Sequence, residues 1–414
     1  MKKRIYFDYN STSPLRPEAM EAMMPYLDSA SGLYGNPSSV HSFGQDTRTA
    51  VEDARLKVAK LLGASTDEIV FTSCGSESDT TAIKGVAFSA QERKKGRHII
   101  TSAIEHDTVL FCCEYLNQNG FDVTFLPVDG GGLVNPDDVR KAIRPETILI
   151  SIMHANNEIG TLEPIAEIGK IAREREVPFH TDAVQTVGKI PTKVDDLHVD
   201  MLSLSAHKFY GPKGVGALYI RKGTRLHPLF HGHHEKNRRA GTENVPGIVG
   251  LGVASEMASV EMAQDAKSVA ALRDRLEKGI IESIPHVHLN GHPTKRIPNT
   301  TNFSFEYVEG EGCVVLLDVE GLAVSTGSAC ASGTTKASHV LRAIGVPPNV
   351  AQGAVRFSLG RLSTGNDVDR ALKIIPDVVA RLRSLSPLWA DKQAGRETKI
   401  TPAERFVKHP KGLS

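Results

Sequence analysis

Between residues 69 and 220, short apolar runs that suit buried strands alternate with longer segments of helical periodicity. The runs that predict strands cover residues 69–73, 98–103, 122–128, 147–153, 177–181, 200–204 and 215–220. Helices are predicted between them, over residues 77–89 and 108–119, from Pro136 onward behind an Asn135 cap, and over 164–176. Repeated strand–helix units imply a mostly parallel sheet covered by helices, so we predict an α/β fold with seven strands in its main sheet.

The chain has 414 residues, which is too long for one compact core, so two domains are expected. Upstream of the alternation, helices are predicted over residues 17–26 and 46–62, the second ending at Gly63. Downstream, a long helix with room for one break is predicted over residues 255–284. Shorter elements follow it: strands at 286–289, 301–305, 322–325 and 354–359, and helices at 311–320, 336–343 and 366–385.

These elements predict four parts of the chain. Residues 1–15 form an N-terminal arm that packs with the small domain, and residues 16–260 form a large domain. Residues 261–388 form a smaller α+β domain, and residues 389–414 form a polar, flexible tail.

Composition excludes several classes of partner. Forty-nine Lys and Arg residues nearly balance 48 Asp and Glu residues, and a net charge of +1 gives no reason to expect nucleic acid or an anionic membrane. No apolar run is long enough to span a bilayer, and no signal-peptide core follows the basic N-terminus. Five cysteines without a C-x-x-C pair argue against disulfides and for the reducing cytoplasm.

Polar side chains follow five of the predicted strands, at the carboxyl ends where ligands bind in sheets of this kind. They are Ser76, His106, Asn157, Asp182 with Gln185, and Lys208. Each of them alone would be interpreted as a solvated loop residue. Because the five strand ends share one edge of the sheet, together they predict a single site.

The chemistry of these residues suits one cofactor. Gly75 and Ser76 open a helix and offer backbone N–H groups and a hydroxyl to a phosphate. Asp182 could hold a proton on a ring nitrogen, and His106 could stack on a flat ring or move protons. Lys208 is either a solvated loop lysine or a desolvated amine able to react with an aldehyde. A phosphate, a ring nitrogen and an aldehyde together describe pyridoxal phosphate (PLP).

Two further residues, Cys330 and Arg356, can be interpreted either as functional or as purely structural. Residues 325–335 are small apart from Cys330, which predicts a mobile surface loop whose thiol is either a travelling nucleophile or an incidental surface group. Arg356 lies among apolar residues in a predicted strand, and a buried arginine needs an anion. That anion is either a substrate carboxylate or a structural ion-pair partner.

The histidines at residues 231, 233 and 234 raise the question of a metal. No carboxylate or thiol stands at clear ligand spacing from them, so a polar loop is the preferred interpretation.

Eight short motifs resemble those of the class V, fold-type I PLP enzymes, and within them the cysteine desulfurases of the NifS/IscS group. The motifs are GNPSS from Gly35, TSCGSES from Thr72, EH from Glu105, NNEIG from Asn156, DAVQ from Asp182, SAHK from Ser205, GTEN from Gly241 and GSAC from Gly327. The resemblance runs from Tyr6 to about Leu385. The SCGSES form and SFEYVEGE from Ser304 look most like the nitrogen-fixation type, NifS, and the long loop around Cys330 is similar to that of group I desulfurases.

The resemblance implies a fold-type I PLP-dependent transferase and a role for each predicted cofactor residue. Lys208 would bond the aldehyde and move protons, Asp182 would pair with the ring nitrogen, and His106 would stack on the ring. Asn157 and Gln185 would bond the phenolic oxygen region. The residues implied for the phosphate are Gly75, Ser76, Ser205, His207 and, from the second subunit of a homodimer, Thr242.

The resemblance also implies the reaction and its partners. Arg356, with Asn157, would bind the carboxylate of L-cysteine, and the Cys330 thiolate would attack the substrate sulfur to leave a persulfide and L-alanine. The persulfide would pass to an iron–sulfur scaffold protein of the NifU/IscU kind, in cluster assembly related to nitrogenase. The enzyme itself would hold no metal, although Cys330 could transiently ligate a cluster on that partner.

Two departures from the family pattern stand out. The family usually reads HGGGQE where residues 231–237 read HGHHEKN, and the segment before Thr242 is about one residue shorter than in some members. Ser76 stands where threonine is common, which keeps the hydroxyl.

Two alternatives to a desulfurase stay open. The first is another class V enzyme, such as an aminotransferase or a selenocysteine lyase. The second is a non-catalytic scaffold, against which the presence of both Lys208 and Cys330 argues.

Overall fold

A computed structural model describes residues 4–326 and 338–396. In chain order, the strands of this part are β1 Ile5–Tyr6, β2 Ile69–Thr72, β3 His98–Ser102, β4 Asp122–Leu126, β5 Thr147–Ser151, β6 Phe179–Asp182, β7 Met201–Ser205, β8 Gly216–Ile220, β9 Val287–Asn290, β10 Thr300–Phe305, β11 Leu322–Ala323 and β12 Ala354–Ser358. Its α-helices are α1 Pro17–Met23, α2 Ser42–Leu62, α3 Gly75–Glu92, α4 Asp107–Gln118, α5 Pro136–Ala142, α6 Ile165–Glu174, α7 Val194–Leu197, α8 His234–Asn237, α9 Val245–Ser283, α10 Gly310–Val319, α11 His339–Ala343, α12 Pro348–Ala351, α13 Gly365–Ser384 and α14 Pro387–Gln393.

The main sheet confirms the predicted α/β class. Its seven described strands lie in the order β2-β8-β7-β6-β5-β3-β4, and β8 runs antiparallel to both of its neighbours while the other pairs are parallel. Strands β2, β3, β6, β7 and β8 are buried along their whole length, as expected when helices cover both faces of a sheet. The carboxyl ends of the parallel strands therefore meet at one edge.

Local signals fixed several helix ends. Gly63 ends α2 in the left-handed region at φ 70°, as predicted, and the Asn135 side chain caps α5 by accepting the Asp137 N–H. Helix α2 begins at Ser42, four residues before its predicted start, because His41 serves as its N-cap.

Helix α9 is a correction. It begins at Val245 rather than 255 and runs without the allowed break to Ser283. Its first turns are rich in glycine, which disfavours a helix on propensity alone. A Cβ placed on Gly252 would lie 2.7 Å from the Ala54 Cβ, so close packing against α2 explains the glycine there. Tertiary packing overrides the local preference.

A second, smaller core surrounds the antiparallel sheet β9-β10-β12. Helix α13 crosses Pro376 without ending, and the C-terminal half of α9 contributes Leu276 and Ile280 to this core. Strand β1 pairs in parallel with β11, and Ile5 and Phe7 are buried in the same core. The N-terminal arm therefore packs on this smaller sheet region.

The first residues of the predicted tail are helical rather than irregular. Trp389 in α14 packs edge-on against His286, with ring centroids 5.6 Å apart, and lies 5.3 Å from the Tyr307 ring. Residues 397–414 lie outside the described part of the chain. Among the described helices, none combines the length and the apolar character needed to cross a bilayer.

Candidate active site

The structure brings the predicted strand-end residues to one edge of the main sheet. Asp182 is the last residue of β6, and Lys208 ends a short 3-10 turn directly after β7. His106 is the N-cap of α4, which follows β3, and Asn157 follows β5. Ser76 in the first turn of α3 accepts a hydrogen bond from the Thr108 hydroxyl at 2.9 Å, which joins the start of α3 to that of α4.

Asp182 is a buried carboxylate between two basic groups. Its Oδ1 accepts the Val184 N–H at 2.9 Å. Burial raises its pKa, whereas the nearby His106 and Lys208 lower it. A carboxylate in this setting can stay ionised when a cation lies against it, which suits a protonated ring nitrogen.

The start of α3 has the features of an anion cradle. A Cβ on Gly75 would lie 2.6 Å from Val184 Cγ2 and 3.6 Å from Ser205 Cβ, so only glycine allows this close approach. The Ser205 hydroxyl is buried and has no hydrogen-bond partner among the described residues. A buried orphan hydroxyl costs about 1–3 kcal/mol. With the N–H groups of the helix start, it fits the phosphate of PLP.

Lys208 is half-buried and is held by main-chain oxygens of the N-terminal arm. Its Nζ donates to the carbonyls of Asn10, at 2.6 Å, and Ser11, at 2.9 Å. The Asn10 carbonyl also accepts from Gln185 Nε2 at 3.0 Å. Lys208 and Gln185 therefore share one acceptor, which brings two of the predicted cofactor residues together.

Lys189 was missed by the sequence interpretation. Its Nζ donates to Gln185 Oε1 at 2.9 Å and so fixes the orientation of that amide. Burial lowers the pKa of Lys189 well below its usual value, and the nearby Lys208 and Arg356 lower it further. Only its position one turn after Gln185, at i+4, could have indicated the contact.

His207 lies beside the arm as well. Its Nδ1 is 3.1 Å from the Thr12 hydroxyl. Burial lowers its pKa to about 4, with Lys208 and Lys213 adding to the effect, so the ring is neutral at pH 7. A neutral imidazole can still donate one N–H to a phosphate.

Arg356 has an anionic partner in the protein itself. It is buried, and its NH2 donates to Asp8 Oδ1 at 2.8 Å and to the Ser11 hydroxyl at 2.9 Å. Its NH1 donates to the Asn157 carbonyl at 2.9 Å. The ion-pair interpretation of Arg356 therefore describes this structure, and Arg356 and Lys208 both donate to Ser11.

Cys330 lies outside the described residues, but both flanks of its segment are anchored at the site. On one side, Ser325 and Arg356 exchange backbone hydrogen bonds of 3.3 and 2.6 Å. On the other, the Ser338 hydroxyl donates to Glu158 Oε2 at 2.6 Å. The two flanks are therefore held at Arg356 and at Glu158, the residue after Asn157.

Thr242 is exposed, and in the described part of the chain no hydrogen bond joins it to the other predicted site residues. The unusual segment before it is held by ion pairs. Both Glu235 oxygens bind Arg55 at 2.8 Å, and one also accepts the Phe71 N–H at 2.8 Å. This anchoring accompanies positive φ angles at Glu235, Lys236 and Asn237, where glycine would be easier.

Within residues 4–326 and 338–396, no group of three or more His, Cys, Asp or Glu side chains has an arrangement that could hold a metal ion.

Comparisons with known proteins show which family this chain resembles. A family model described as aminotransferase class-V matches residues 5–371. A cysteine desulfurase IscS from Dictyoglomus turgidum is 56% identical over 388 residues, which cover 94% of this chain and 97% of the relative. A solved structure of a NifS-like protein superposes with a TM-score of 0.85 at 41% identity, covering 92% of this chain and all of the other. A structure of SspA in complex with cysteine has a TM-score of 0.77 at 41% identity, covering 87% and 100%.

Proposed function

Because the chain belongs to the class-V aminotransferase family of PLP-dependent enzymes, and within it to the IscS/NifS-like cysteine desulfurases, we propose that it removes the sulfur of L-cysteine and releases L-alanine. One observation carries the choice of an amino acid as substrate. Ser11 accepts Lys208 Nζ on its carbonyl at 2.9 Å and Arg356 NH2 on its hydroxyl at 2.9 Å. Lys208 marks the place where the aldehyde of PLP would meet the substrate's amino group, and Arg356 would bind a carboxylate. Their closeness suits an α-amino acid, which carries both groups on one carbon.

The residues that would hold PLP are those of the cradle and its surroundings. Lys208 would hold the aldehyde, Asp182 would face the ring nitrogen, and His106 would lie against the ring. Asn157 and Gln185 would bond the phenolic oxygen region. The phosphate would be held by Gly75, Ser76, Ser205 and His207, with Thr242 from a second subunit; the orphan hydroxyl of Ser205 supports this assignment.

Arg356, Asn157 and Lys208 would then orient the substrate and transfer its protons. The bound cofactor supplies a ring that draws electrons from the substrate's Cα. Arg356 would orient the carboxylate, helped by Asn157. Nζ of Lys208 would take the Cα proton and later return a proton to the carbon skeleton that leaves as L-alanine.

Cys330 is the proposed sulfur acceptor. Its thiolate would attack the substrate sulfur, so that a sulfur–sulfur bond forms while the bond between sulfur and Cβ breaks, and the persulfide would remain on Cys330. The anchoring of Ser325 at Arg356 and of Ser338 at Glu158 supports this, because one flank of the segment starts at a proposed substrate residue and the other at the neighbour of Asn157.

The assembly and the cellular role extend this proposal. A homodimer is supported by exposed apolar side chains near the N-terminus, namely Met20, Met24, Leu27, Tyr34 and Val40. The persulfide would serve a NifU/IscU-like scaffold in the cytoplasm, for cluster assembly related to nitrogenase, and Cys330 could transiently ligate a cluster there. The domain limits, 16–260 and 261–388, are supported by one large cluster drawn from residues 51–258 and another that, apart from Ile5 and Phe7, is drawn from residues 269–379, and an arm of 1–15 is supported by the pairing of β1 with β11.

A product assay tests the proposed reaction. Purified holoenzyme is incubated with L-cysteine and a thiol reductant, and alanine and sulfide are quantified together beside Lys208→Ala and Cys330→Ala. Equal amounts of alanine and sulfide are expected from the parent, and neither from either variant. Pyruvate with ammonia would mean a lyase instead, and turnover that survives Cys330→Ala would remove the persulfide step.

A further inference from the structure

We propose that Asp8 is a built-in counter-anion that stays on Arg356 beside the substrate carboxylate and, by repelling that negative charge, lowers the affinity of the site for carboxylate ligands. This rests on the assignment of Arg356 as the carboxylate-binding residue under the proposed function. It gives Asp8, which no sequence motif singled out as a site residue, a part in setting substrate affinity.

The contact between Asp8 and Arg356 leaves capacity for a second anion. Asp8 binds the guanidinium through one oxygen, Oδ1, at 2.8 Å, and the same oxygen accepts the Ser11 hydroxyl at 2.8 Å. The Nε of Arg356 is buried without a hydrogen-bond partner among the described residues. A fully satisfied arginine would instead bind both oxygens of one carboxylate in parallel. A substrate carboxylate can therefore add to this site.

Asp8 cannot easily withdraw when a substrate arrives. Its neighbours in the arm are hydrogen-bonded to β12, the strand that carries Arg356: Ser358 donates to the Phe7 carbonyl at 2.8 Å, and Tyr9 donates to the Ser358 carbonyl at 3.1 Å. Ser11 N–H also donates to the Asp8 carbonyl at 3.1 Å. These main-chain bonds fix the Asp8 backbone beside β12 and so keep its carboxylate within reach of the guanidinium.

The negative charge of Asp8 has opposite effects on the empty site and on carboxylate binding. A buried arginine without an anion is strongly destabilising, so Asp8 supports Arg356 when the site is empty. The same negative charge repels an incoming carboxylate at short range. Replacing Asp8 by asparagine retains an oxygen that can accept from Arg356 and Ser11, but removes the charge. Because the Asp8 side chain is 20% exposed, solvent screens part of the effect, and we expect affinity to rise about five- to tenfold.

Equilibrium binding to the holoenzyme tests this with two matched ligands. L-alanine carries an amine and a carboxylate, whereas L-alaninamide keeps the amine and replaces the carboxylate by a neutral amide. Titrations are followed by the absorbance of the bound cofactor. Asp8→Asn should lower the Kd of L-alanine about five- to tenfold and leave that of L-alaninamide unchanged. The control Asp138→Asn removes a charge on the exposed surface of α5 and should change neither.

The other results each decide the matter. Equal shifts for both ligands, an unchanged Kd for L-alanine, or weaker L-alanine binding would overturn the inference, because Asp8 would then act only as structural support. If Asp8→Asn does not fold, Asp8→Ser removes the charge while keeping an acceptor and gives the same test. Arg356→Gln separates this inference from the proposed function: if that variant still prefers L-alanine over L-alaninamide, the carboxylate subsite itself has been misassigned.

Discussion

Asn10 joins the two halves of the candidate site through both its main chain and its side chain. Its carbonyl accepts from Lys208 and Gln185. Its Nδ2 donates to the Asn157 carbonyl at 3.0 Å and to Thr300, and its Oδ1 accepts from Asn299 at 2.9 Å. The residue is 1% exposed, so water cannot replace these partners. Asn10 therefore couples the lysine, the arginine and the smaller sheet.

Replacing Asn10 by alanine should destabilise the protein by about 2–4 kcal/mol, because several buried polar groups lose their partners. Denaturant unfolding measures the change. Asn119→Ala is the matched control, because its Nδ2 makes an exposed bond to the Tyr115 carbonyl at 2.7 Å, and it should cost less than about 1 kcal/mol. Similar decreases in the free energy of unfolding for both variants would show that the side-chain bonds of Asn10 stabilise the protein no more than an exposed bond does.

At this scale the sequence indicated where the candidate residues lie, but not which residues hold them in place. Asp182, Lys208 and Gly75 could be predicted because parallel strands end at a common edge. The contribution of the Asn10 carbonyl could not be predicted, because every residue has a main-chain carbonyl and the residue type therefore does not indicate its contacts. Lys189 and Asp8 were missed for a related reason: their contacts depend on how the arm and the loop after β6 pack.

At the scale of elements, strand ends were predicted to within about two residues wherever a continuous apolar run fixed them, as for β3 and β7. The start of α9 was predicted wrongly. Gly252, near that start, packs closely against α2, which lies about 200 residues earlier in the sequence. Long-range packing of this kind is invisible to a local pattern.

The glycine face of α9 gives an element-scale prediction. Gly252→Ala should destabilise the protein by about 1–3 kcal/mol, although alanine is the better helix former, because its Cβ would lie 2.7 Å from atoms of Ala54. Gly312→Ala in α10 is the control: its Cβ would meet only Leu382 at 3.8 Å, and it should be neutral or stabilising by up to about 1 kcal/mol. Chemical denaturation of both variants measures this, and a stabilising Gly252→Ala would contradict the packing account.

At the scale of the whole molecule, the N-terminal arm links the two cores. It pairs with β11 and is buried in the smaller core at Ile5 and Phe7, and a few residues later it contacts Lys208, which follows a strand of the main sheet. Lys208 and Arg356, the residues proposed to handle the substrate, therefore lie where the two regions meet, and the proposed site depends on both being folded.

Burial of Glu163 should make the stability of the whole molecule fall as pH rises from about 4.3 to about 8. Burial raises the pKa of Glu163 to about 8, and its Oε2 accepts the Val134 N–H at 2.8 Å. Since the folded pKa lies above the unfolded value of about 4.3, the stabilisation is complete below that value and is lost as pH rises through 8. Glu163→Gln imitates the protonated acid and should reduce the loss between pH 5 and 9 by about 1–3 kcal/mol.

Unfolding free energies of Glu163→Gln and the parent at several pH values check this. Glu92→Gln, at an exposed carboxylate that pairs with His227, is the control and should leave the slope of stability against pH unchanged. An identical slope for Glu163→Gln and the parent would mean that Glu163 is not the buried acid responsible.

The most direct measurement of the central claim is a single turnover of the holoenzyme with L-cysteine in the absence of reductant. The account predicts one L-alanine per active site and a Cys330 peptide heavier by the mass of one sulfur atom, with both signals lost in Lys208→Ala and L-alanine formation lost in Cys330→Ala. L-alanine formation without added sulfur on Cys330, or pyruvate in place of L-alanine, would contradict it.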